Sequence, residues 1–536
     1  MTKPAHYPRE RAEAAPSVTA SVSNRPSLPA SLSWATIEEA ARRAAPEAWL
    51  APGRPLNLIA GEWSHAGYGK HQLSCVDGTP LALFPMIDLD TARHAVGAAA
   101  KESAAWAKTD LDERRTRVSR CLAELKAHRE LLAKLLVWEI GKPYAQALVS
   151  VDRCVEGVEW YVGQIESMMA GRTPLGLVSN IASWNYPLSV LMHAALVQVL
   201  AGNTVIAKTP SDGGLVSLTL AFALARRAGL PLSLVSGSGG QLSDALVRND
   251  AVSCLAFVGG KTNGGTIAAS LYDRNKRYML EMEGVNTYGL WGFSQWASLE
   301  AQLKKGFEYG KQRCTAYGRF VVQREIMPKF IDSYLRVVKS LRVGNPTVTT
   351  AGDTPPTLDF GPLINAKKVE ELRVRFSEAV GKGAICLYEG SFDPALFPEN
   401  QDYSAYYPPA ALLNVPRNCE LYHNEAFGPL DSIVVVDRIE ELVTEMNVSG
   451  GALVSSVGCD DEKTARQIAS QVRAFKVGIN QVRSRGDREE PFGGIGQSWK
   501  GCFVGGKYLV QAITQGEPGE ALAGNFPDHT RLPASV

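Results

Sequence analysis

Short apolar runs alternate with segments of helical length from residue 175 onwards, and this alternation limits the possible folds more than any other feature of the sequence. Such alternation is typical of a doubly wound parallel sheet, in which ligands bind at the carboxyl ends of the strands. The sequence therefore predicts an α/β fold with a ligand site at that edge. The apolar runs lie at 175–182, 203–209, 232–238 and 253–259.

A second series of apolar runs, between residues 319 and 476, predicts a second α/β domain. Its strand candidates are FVVQ, ICLYEG, SIVVV and ALVSSV. The most reactive residue types lie around the junction of the two series, at residues 283–314. We therefore expect the functional site in a cleft between two domains.

Helices are expected before the first strand of the large sheet. Apolar residues recur every three or four positions in segments 91–107, 111–139 and 143–164, which predicts three long amphipathic helices. A capping signature at the start of segment 33–50 predicts an earlier helix. The first 32 residues are rich in Ala, Ser and Pro without apolar periodicity, so we expect a mobile extension that carries no chemistry.

The charge balance and the cysteines exclude several classes of protein. Fifty-six basic and 55 acidic residues leave a net charge of +1, so no overall field attracts nucleic acid or an anionic membrane. The longest apolar stretch, 188–202, is shorter than the roughly 20 residues that span a bilayer. Nine cysteines without a CxxC motif favour reduced thiols in a cytoplasmic protein and no metal site. We expect a small-molecule partner.

Several short motifs follow one another in an order that chance does not explain. Together they resemble the aldehyde dehydrogenase superfamily, and the resemblance covers roughly residues 56–515. No single motif would suffice. The motifs are SWNYP (183–187), GNTVIAK (202–208), LEMEG (280–284), GKQRCTA (310–316), NEAFGP (424–429) and PFGGIGQS (491–498).

The resemblance implies an aldehyde-dehydrogenase-like fold with a doubly wound cofactor domain, an α/β catalytic domain and a small β oligomerisation arm. It also implies a homodimer or a homotetramer. The expected boundaries are 1–32 for the extension, 33–164 and 174–283 for the cofactor domain, 284–502 for the catalytic domain, and 165–173 with 503–520 for the arm.

The same resemblance assigns roles to three catalytic residues. Cys314 would attack the aldehyde, because a thiolate is strongly nucleophilic near neutral pH and its thiohemiacetal can lose hydride to become a thioester. Asn185 would donate its amide N–H to the developing oxyanion. Glu281 would activate the water that hydrolyses the thioester. The family has Glu-Leu-Gly-Gly here, so Glu283 places a second carboxylate where the family has its first Gly, which leaves the details of this step open.

A dinucleotide, either NAD or NADP, is the implied cofactor. The family often has a Glu here that disfavours NADP. Ser211 takes its place without a gap, and Asp212 does so only if the loop shifts, so the choice between NAD and NADP stays open. Gly260 replaces a Ser that is usual in the family. The residues expected to bind the cofactor are Trp184, Lys208, Ser211, Gly259, Gly260, Glu425 and Phe427.

Two departures concern the substrate and the assembly. Ala194 replaces a frequent family Lys, and His193 beside it either lines the substrate tunnel or is an ordinary buried histidine. Only 12 residues separate Tyr161 from Pro174, where many members insert a longer hairpin, which implies a shortened arm. The segment 507–515 is interpreted as an edge strand that completes this arm.

The leading hypothesis is oxidation of an aldehyde to a carboxylic acid through a thioester on Cys314. One alternative is a member of the superfamily that passes the acyl group to coenzyme A, although Glu281 favours hydrolysis. Another is a catalytically silent paralogue that acts as a scaffold. The retained Cys314, Asn185 and Glu281 disfavour that alternative.

Overall fold

The computed structural model describes residues 26–272, 274, 276–350, 352–484 and 488–526. Residues 1–25 of the predicted extension lie outside this described part of the chain. The α-helices are α1 (Trp34–Ala44), α2 (Leu89–Trp106), α3 (Leu111–Ala127), α4 (Arg129–Ile140), α5 (Tyr144–Met169), α6 (His193–Leu200), α7 (Leu215–Arg227), α8 (Gly239–Leu246), α9 (Lys261–Ser270), α10 (Trp296–Gly306), α11 (Met327–Ser340), α12 (Ala366–Gly381), α13 (Glu420–His423), α14 (Ile439–Met446), α15 (Glu462–Ala469) and α16 (Gly506–Ala512).

Two large sheets contain most of the strands. The first is built from β3 (Asn57–Ile59), β4 (Glu62–Ser64), β8 (Leu177–Ile181), β9 (Thr204–Lys208), β10 (Leu232–Val235), β11 (Val252–Gly259), β12 (Arg277–Met282), β20 (Trp499–Cys502) and β22 (Gly524–Asn525). The second is built from β13 (Asn286–Leu290), β14 (Tyr317–Gln323), β15 (Ile385–Glu389), β16 (Ala410–Leu413), β17 (Leu430–Val436), β18 (Val454–Gly458) and β19 (Lys476–Ile479). Short antiparallel ladders pair β1 (Trp49–Ala51) with β2 (Arg54–Pro55), β5 (Tyr68–Leu73) with β6 (Pro80–Met86), and β7 (Thr173–Pro174) with β21 (Thr514–Gln515).

The strand order of the first sheet fixes where a ligand can bind. Strands β12, β11, β8, β9 and β10 are parallel neighbours in that order. The chain runs outward from β8 through β9 and β10, and then returns to add β11 and β12 on the other side of β8. Open α/β sheets bind ligands where the strand order reverses, outside the carboxyl ends of the strands. The segments that follow β8 and β11 therefore flank the expected crevice.

The second sheet brings two other motifs together. Its order is β15-β16-β17-β14-β13-β18-β19, and all pairs are parallel except that of β15 with β16. Cys314 precedes β14 and Glu425 precedes β17, and these two strands are neighbours. Parallel neighbours begin at the same edge of a sheet, so the two motifs lie near each other.

The predicted fold class is confirmed, because both sheets are flanked by helices and the expected apolar runs form β8, β9, β10 and β11. These runs lack a polar alternation because parallel strands are buried on both faces. Helix α7 is buried from residue 215 to residue 225, as expected for a helix packed beneath other helices. Among the described residues, no helix is both long enough and apolar enough to cross a membrane.

The prediction of one long helix over 111–139 was wrong. Two helices, α3 and α4, meet at His128, whose φ of −102° and ψ of 17° leave the helical region. The segment contains no Gly or Pro, so its pattern carries no stop signal. Helix α4 is buried on nearly every side, and it packs against α1, α5 and α7. Tertiary packing therefore redirects the chain where local propensity would continue it.

The predicted arm differs from the observed chain in two places. Residues 165–169 complete α5, so only the end of the segment 165–173 reaches β7. The segment 507–515 is mostly helix α16, and only Thr514–Gln515 is a strand, paired with β7 of the same chain. Its apolar residues Leu509, Val510 and Ile513 are spaced for one helix face and are buried.

Two other expected boundaries also differ from the structure. Residues 499–502, expected in the catalytic domain, form β20 and pair with β12 of the first sheet. The end of the expected mobile extension contacts the body of the protein, since Ser27 bridges Thr349 and Leu32 is buried. The spacing of apolar residues could not show either contact, because each joins segments distant in sequence.

Candidate active site

The turn that follows β8 holds Asn185 in a fixed orientation. Asn185 is buried, and its Oδ1 accepts a hydrogen bond from Ser183 Oγ at 2.5 Å. Its Nδ2 donates to the carbonyl oxygen of Gln312 at 2.9 Å. An amide nitrogen carries two hydrogens, so the second one can be donated to a ligand. The turn therefore presents one oriented donor beside Gln312, which precedes Cys314 by two residues.

Cys314 lies in a loop with an unusual backbone. Tyr309, Gly310 and Lys311 adopt left-handed φ values of 59°, 60° and 59°. This conformation costs about 1–2 kcal/mol for a residue with a side chain, so other contacts must hold the loop. Gln312 supplies several, since its Nε2 donates to the carbonyl oxygens of Tyr309 (3.2 Å) and Pro362 (3.3 Å) and its Oε1 accepts from the Ile364 N–H at 3.0 Å.

Contacts on the far side of the loop position Cys314 itself. Asn286 Nδ2 donates to the carbonyl oxygens of Cys314 (2.8 Å) and Ala316 (2.9 Å). Cys314 is partly exposed, whereas Cys121, Cys154 and others are buried thiols whose pKa burial raises. The candidate nucleophile is therefore accessible and held through its backbone.

A buried ion pair closes the base of the loop. Lys311 Nζ lies 2.6 and 2.7 Å from the two carboxylate oxygens of Asp431, and the Tyr334 hydroxyl donates to Asp431 at 2.8 Å. Burial lowers the pKa of Lys311 and raises that of Asp431, while the charge of each residue partly offsets the pKa shift of the other. Removing one partner of such a pair typically costs about 3–5 kcal/mol, so the pair fixes the loop strongly.

A second buried lysine, Lys142, contacts both the turn at Asn185 and the loop before Cys314. The sequence analysis did not identify it. Its Nζ donates to the carbonyl oxygen of Asn185 at 3.1 Å and to Ser150 Oγ at 3.0 Å. The same ammonium lies 3.9 Å from the ring centroid of Tyr186 and 4.4 Å from that of Tyr309. Burial lowers the pKa of Lys142 well below its usual value. The available signal was a Lys between Gly141 and Pro143, at the junction of two largely apolar segments.

Glu281 lines a cavity that is also bordered by residues on either side of the turn at Asn185, including Ala182 and Val190. Glu281 is buried on β12, in register with Val258 of β11 and Trp499 of β20. The cavity has a volume of about 50 Å³ and is also lined by His193 and Gln198. Gln198 and Asn180 hydrogen-bond each other side chain to side chain, so the cavity has a polar wall. A cavity of this size holds a water molecule.

Two of the predicted nicotinamide residues, Trp184 and Phe427, pack together next to Asn185. The rings of Trp184 and Phe427 are perpendicular, with centroids 5.9 Å apart, and the Trp184 ring lies 6.4 Å from that of Tyr309. Glu425 is buried, and neither of its carboxylate oxygens accepts a hydrogen bond from the described residues. Burial, and then the charge of Glu283, raise the pKa of Glu425 well above its usual value. Two unpaired acceptors in a crevice fit the two hydroxyls of a ribose.

The predicted adenosine residues lie at the end of β9. Lys208 is buried, its Nζ donates to the Thr209 carbonyl oxygen at 2.7 Å, and burial lowers its pKa to about 8. The charge of Lys70, on β5, also lowers the pKa of Lys208. Lys70 Nζ donates to the carbonyl oxygen of the exposed Ser211 at 3.4 Å. Two ammonium groups therefore lie near the turn at Ser211.

The end of β11 leads directly into α9. Gly259 is the last residue of β11, and a side-chain carbon there would lie 2.7 Å from the ring of Phe257. Gly260 is the N-cap of α9, and since glycine has no side chain it makes no capping hydrogen bond. The first amides of such a helix attract anions, including phosphate groups. The structure thus gathers most predicted site residues around the crevice at the strand-order reversal.

Comparison with known proteins agrees with this geometry. The model of the aldehyde dehydrogenase family matches residues 67–517. A glutarate-semialdehyde dehydrogenase from Pseudomonas aeruginosa is 28% identical over 474 residues, which is 84% of this chain and 94% of that protein. A 3,6-anhydro-alpha-L-galactose dehydrogenase from a Vibrio species is 25% identical over 81% of this chain and 92% of its own length.

Solved structures are similar over the same region. The NADP-dependent glyceraldehyde-3-phosphate dehydrogenase of Bacillus halodurans, crystallised with NADP, superposes with a TM-score of 0.77 at 24% identity, covering 86% of this chain and 97% of that one. An aldehyde dehydrogenase from Brucella melitensis gives a TM-score of 0.76 at 25% identity, with 86% and 95% coverage. The family model covers most of the chain, and both sheets and the crevice accord with it. The chain therefore belongs to the aldehyde dehydrogenase family.

Proposed function

We propose that this enzyme oxidises an aldehyde to a carboxylic acid, with NAD or NADP as the oxidant, through a thioester on Cys314. The observation that carries the proposal is the hydrogen bond from Asn185 Nδ2 to the Gln312 carbonyl. It ties the candidate oxyanion donor to the loop of the candidate nucleophile. The remaining amide hydrogen of Asn185 can then meet charge that develops beside Cys314.

In the first half of the reaction, the Cys314 thiolate adds to the aldehyde carbon and forms a thiohemiacetal. The carbonyl oxygen gains negative charge, and Asn185 Nδ2 stabilises it. Losing one such donor typically lowers turnover by about 100- to 1,000-fold. A nicotinamide bound beside Trp184 and Phe427 supplies the chemistry that removes hydride. The acyl group then remains on Cys314 as a thioester.

In the second half, Glu281 accepts a proton from water, whose oxygen adds to the acyl carbon. The C–S bond breaks, the Cys314 thiolate leaves and a carboxylic acid is released. The cavity shared by Glu281, His193 and Gln198 supports this role, because it provides room and polar partners for water next to the carboxylate.

The crevice between β8, β11 and the second sheet suits a dinucleotide. Glu425 would accept hydrogen bonds from the nicotinamide ribose, and Trp184 and Phe427 would pack around the nicotinamide ring. Gly259 and Gly260 leave the N-terminal end of α9 open for the pyrophosphate, and Lys208 with Ser211 would contact the adenosine end. Those last two positions lie at the carboxyl end of β9, the edge where such ligands bind.

The substrate is proposed to be a small aldehyde, and semialdehydes are the first class to examine. The similar enzymes from Pseudomonas aeruginosa and Escherichia coli are a glutarate-semialdehyde and a succinate-semialdehyde dehydrogenase. The assembly is proposed to be a homodimer or a homotetramer, which light scattering coupled to size-exclusion chromatography would distinguish.

An aldehyde panel tests the proposed function. Absorbance of the reduced cofactor is followed with NAD and NADP in parallel, each with and without coenzyme A. We expect oxidation without coenzyme A and its loss in Cys314→Ala, while Cys314→Ala still binds the cofactor. Turnover in Cys314→Ala within about tenfold of the parent enzyme would contradict the nucleophile. Strict dependence on coenzyme A would favour the acyl-transferring alternative, and inactivity with every aldehyde would favour the scaffold.

A further inference from the structure

Glu283 places a carboxylate at the N-terminal end of α9. It follows β12 directly, and its Oε2 lies 3.9 Å from the position that a side-chain carbon on Gly260 would occupy. Gly260 is the N-cap of α9, and Lys261 is the first helical residue. The unpaired amides at a helix start carry partial positive charge, so a carboxylate at this distance is stabilised there.

A second carboxylate shares this part of the crevice. Glu425 is buried with both oxygens unpaired by the described residues, and the charge of Glu283 is, after burial, the next largest influence that raises the pKa of Glu425. Lys368 and Lys261 act on Glu425 in the opposite direction. Two carboxylates and two ammonium groups thus influence one another electrostatically in the region assigned above to a dinucleotide.

We propose that Glu283 acts as an internal anion that competes with the cofactor pyrophosphate at the N-terminal end of α9. The inference rests on the proposed function, because it takes the crevice to be a dinucleotide site. A pyrophosphate would bring negative charge to the helix start that the Glu283 carboxylate already approaches, so binding must displace this carboxylate or bear its repulsion. Glu283 therefore weakens cofactor binding and sets its strength.

Gly260 and Glu283 lie close together, and both differ from the residues that are usual in the related sequences. Where this chain has Gly and then Glu, the resemblance leads one to expect Ser and then Gly. A Ser at position 260 would extend its hydroxyl towards the space that the Glu283 carboxylate approaches. A side-chain carbon at this distance makes ordinary van der Waals contact, so the two departures are neighbours but the spacing does not require Gly at position 260.

Equilibrium binding of reduced cofactor tests the inference without catalysis. Dissociation constants for NADH and NADPH are measured by nicotinamide fluorescence for the parent enzyme, Glu283→Gln and Glu283→Gly. Glu399→Gln, at an exposed glutamate, is the matched control. We expect both Glu283 variants to bind the preferred cofactor about tenfold more tightly, the scale of a charge at a helix end, and the control to match the parent. Circular dichroism verifies that each variant is folded.

A second ligand identifies the part of the cofactor that Glu283 opposes. ADP-ribose has the pyrophosphate but no nicotinamide, so calorimetric titration should show the same gain in both Glu283 variants. Affinities within twofold of the parent, or weaker binding by Glu283→Gln, would overturn the inference and leave the proposed function standing. Failure of the parent and of every variant to bind either reduced cofactor would overturn both.

Discussion

At the scale of single residues, Lys70 and Lys208 bring two ammonium groups to the turn where Ser211 stands. A carboxylate at this turn would repel the 2′-phosphate of NADP, but Ser211 is neutral and Lys70 Nζ lies 3.4 Å from its carbonyl oxygen. Asp212, in the same turn, acts on Lys208 in the opposite direction from Lys70. Two ammonium groups against the one carboxylate of Asp212 lead us to predict a modest preference for NADP over NAD.

Replacing Lys70 tests this preference. Lys70→Met should weaken NADPH binding by about fivefold, the scale of one exposed ion pair, and leave NADH binding unchanged. Fluorescence titration with both cofactors measures the ratio, and Lys101→Met on α2 serves as a control. Equal loss of affinity for both cofactors would show that Lys70 maintains the conformation of the turn and does not interact with the 2′-phosphate of NADP.

The sequence predicted those site residues whose chemistry is visible in a short motif. Cys314, Asn185 and Glu425 lie in motifs of fixed order, and the structure places them around one crevice. Lys142 was missed, because a lysine is expected at the surface unless a fold brings a carbonyl and two rings to it. The side-chain direction of Glu283 also depends on the packing of β12 against α9, which no local pattern contains.

At the scale of elements, the loop before Cys314 is held between two buried lysines. Lys311 anchors its base through Asp431, and Lys142 lies against Tyr309 while bonding to the Asn185 carbonyl. The left-handed backbone at 309–311 is thus maintained by contacts on both sides. We infer that Lys142 is a positioning residue that holds Asn185 against the loop before Cys314.

Loss of Lys142 should therefore affect turnover more than binding. Lys142→Met keeps the length of the side chain but removes the donor, and we expect kcat to fall at least tenfold while KM and cofactor affinity stay within about twofold. Lys134→Met, on α4, is the control. A rise in KM that accounts for the whole effect would contradict the positioning role, as would unchanged kinetics.

A helix or strand could be predicted from the sequence where the spacing of its apolar residues matched the faces that the fold buries. The strands β8 to β11 followed from continuous apolar runs between helices, because both faces of a parallel sheet are buried. The break between α3 and α4 and the helix α16 could not be predicted in the same way. Long-range contacts decide both, and α16 contains an apolar sequence that fits a strand as well as a helix.

At the scale of the whole molecule, the C-terminal part of the chain returns to the first sheet and is tied there by charge. Arg172, which precedes β7, bonds in a bidentate manner to Glu520, with N–O distances of 2.5 and 2.9 Å. Arg172 Nε also donates to Thr514 Oγ1 at 2.7 Å. The pair joins the end of α5 to the segment after β21. The order of apolar runs in the sequence predicted both sheets, but it did not predict that the C-terminal part of the chain returns to the first one.

This tie predicts a dependence of stability on pH. Arg172 lowers the pKa of Glu520 below its ordinary value of 4.5, so its contribution is complete above that value and is lost as pH falls through the folded-state pKa. Glu520→Gln should lower Tm at pH 7, and its Tm deficit should shrink below about pH 4 as the parent loses the charge. Glu517→Gln, at an exposed position nearby, is the control. A deficit equal at both pH values would mean that the charge of Glu520 does not stabilise the fold.

The most direct test of the central claim is the mass of the enzyme during turnover. Glu281→Gln, mixed with an aldehyde substrate and the oxidised cofactor and then quenched, should release about one equivalent of reduced cofactor per site in a burst. Intact-protein mass spectrometry should show the added acyl group, and peptide mapping should locate it on Cys314. Glu283→Gln, the matched variant two residues away, should not accumulate it. An acyl adduct at another residue, or its accumulation in Glu283→Gln alone, would contradict the account.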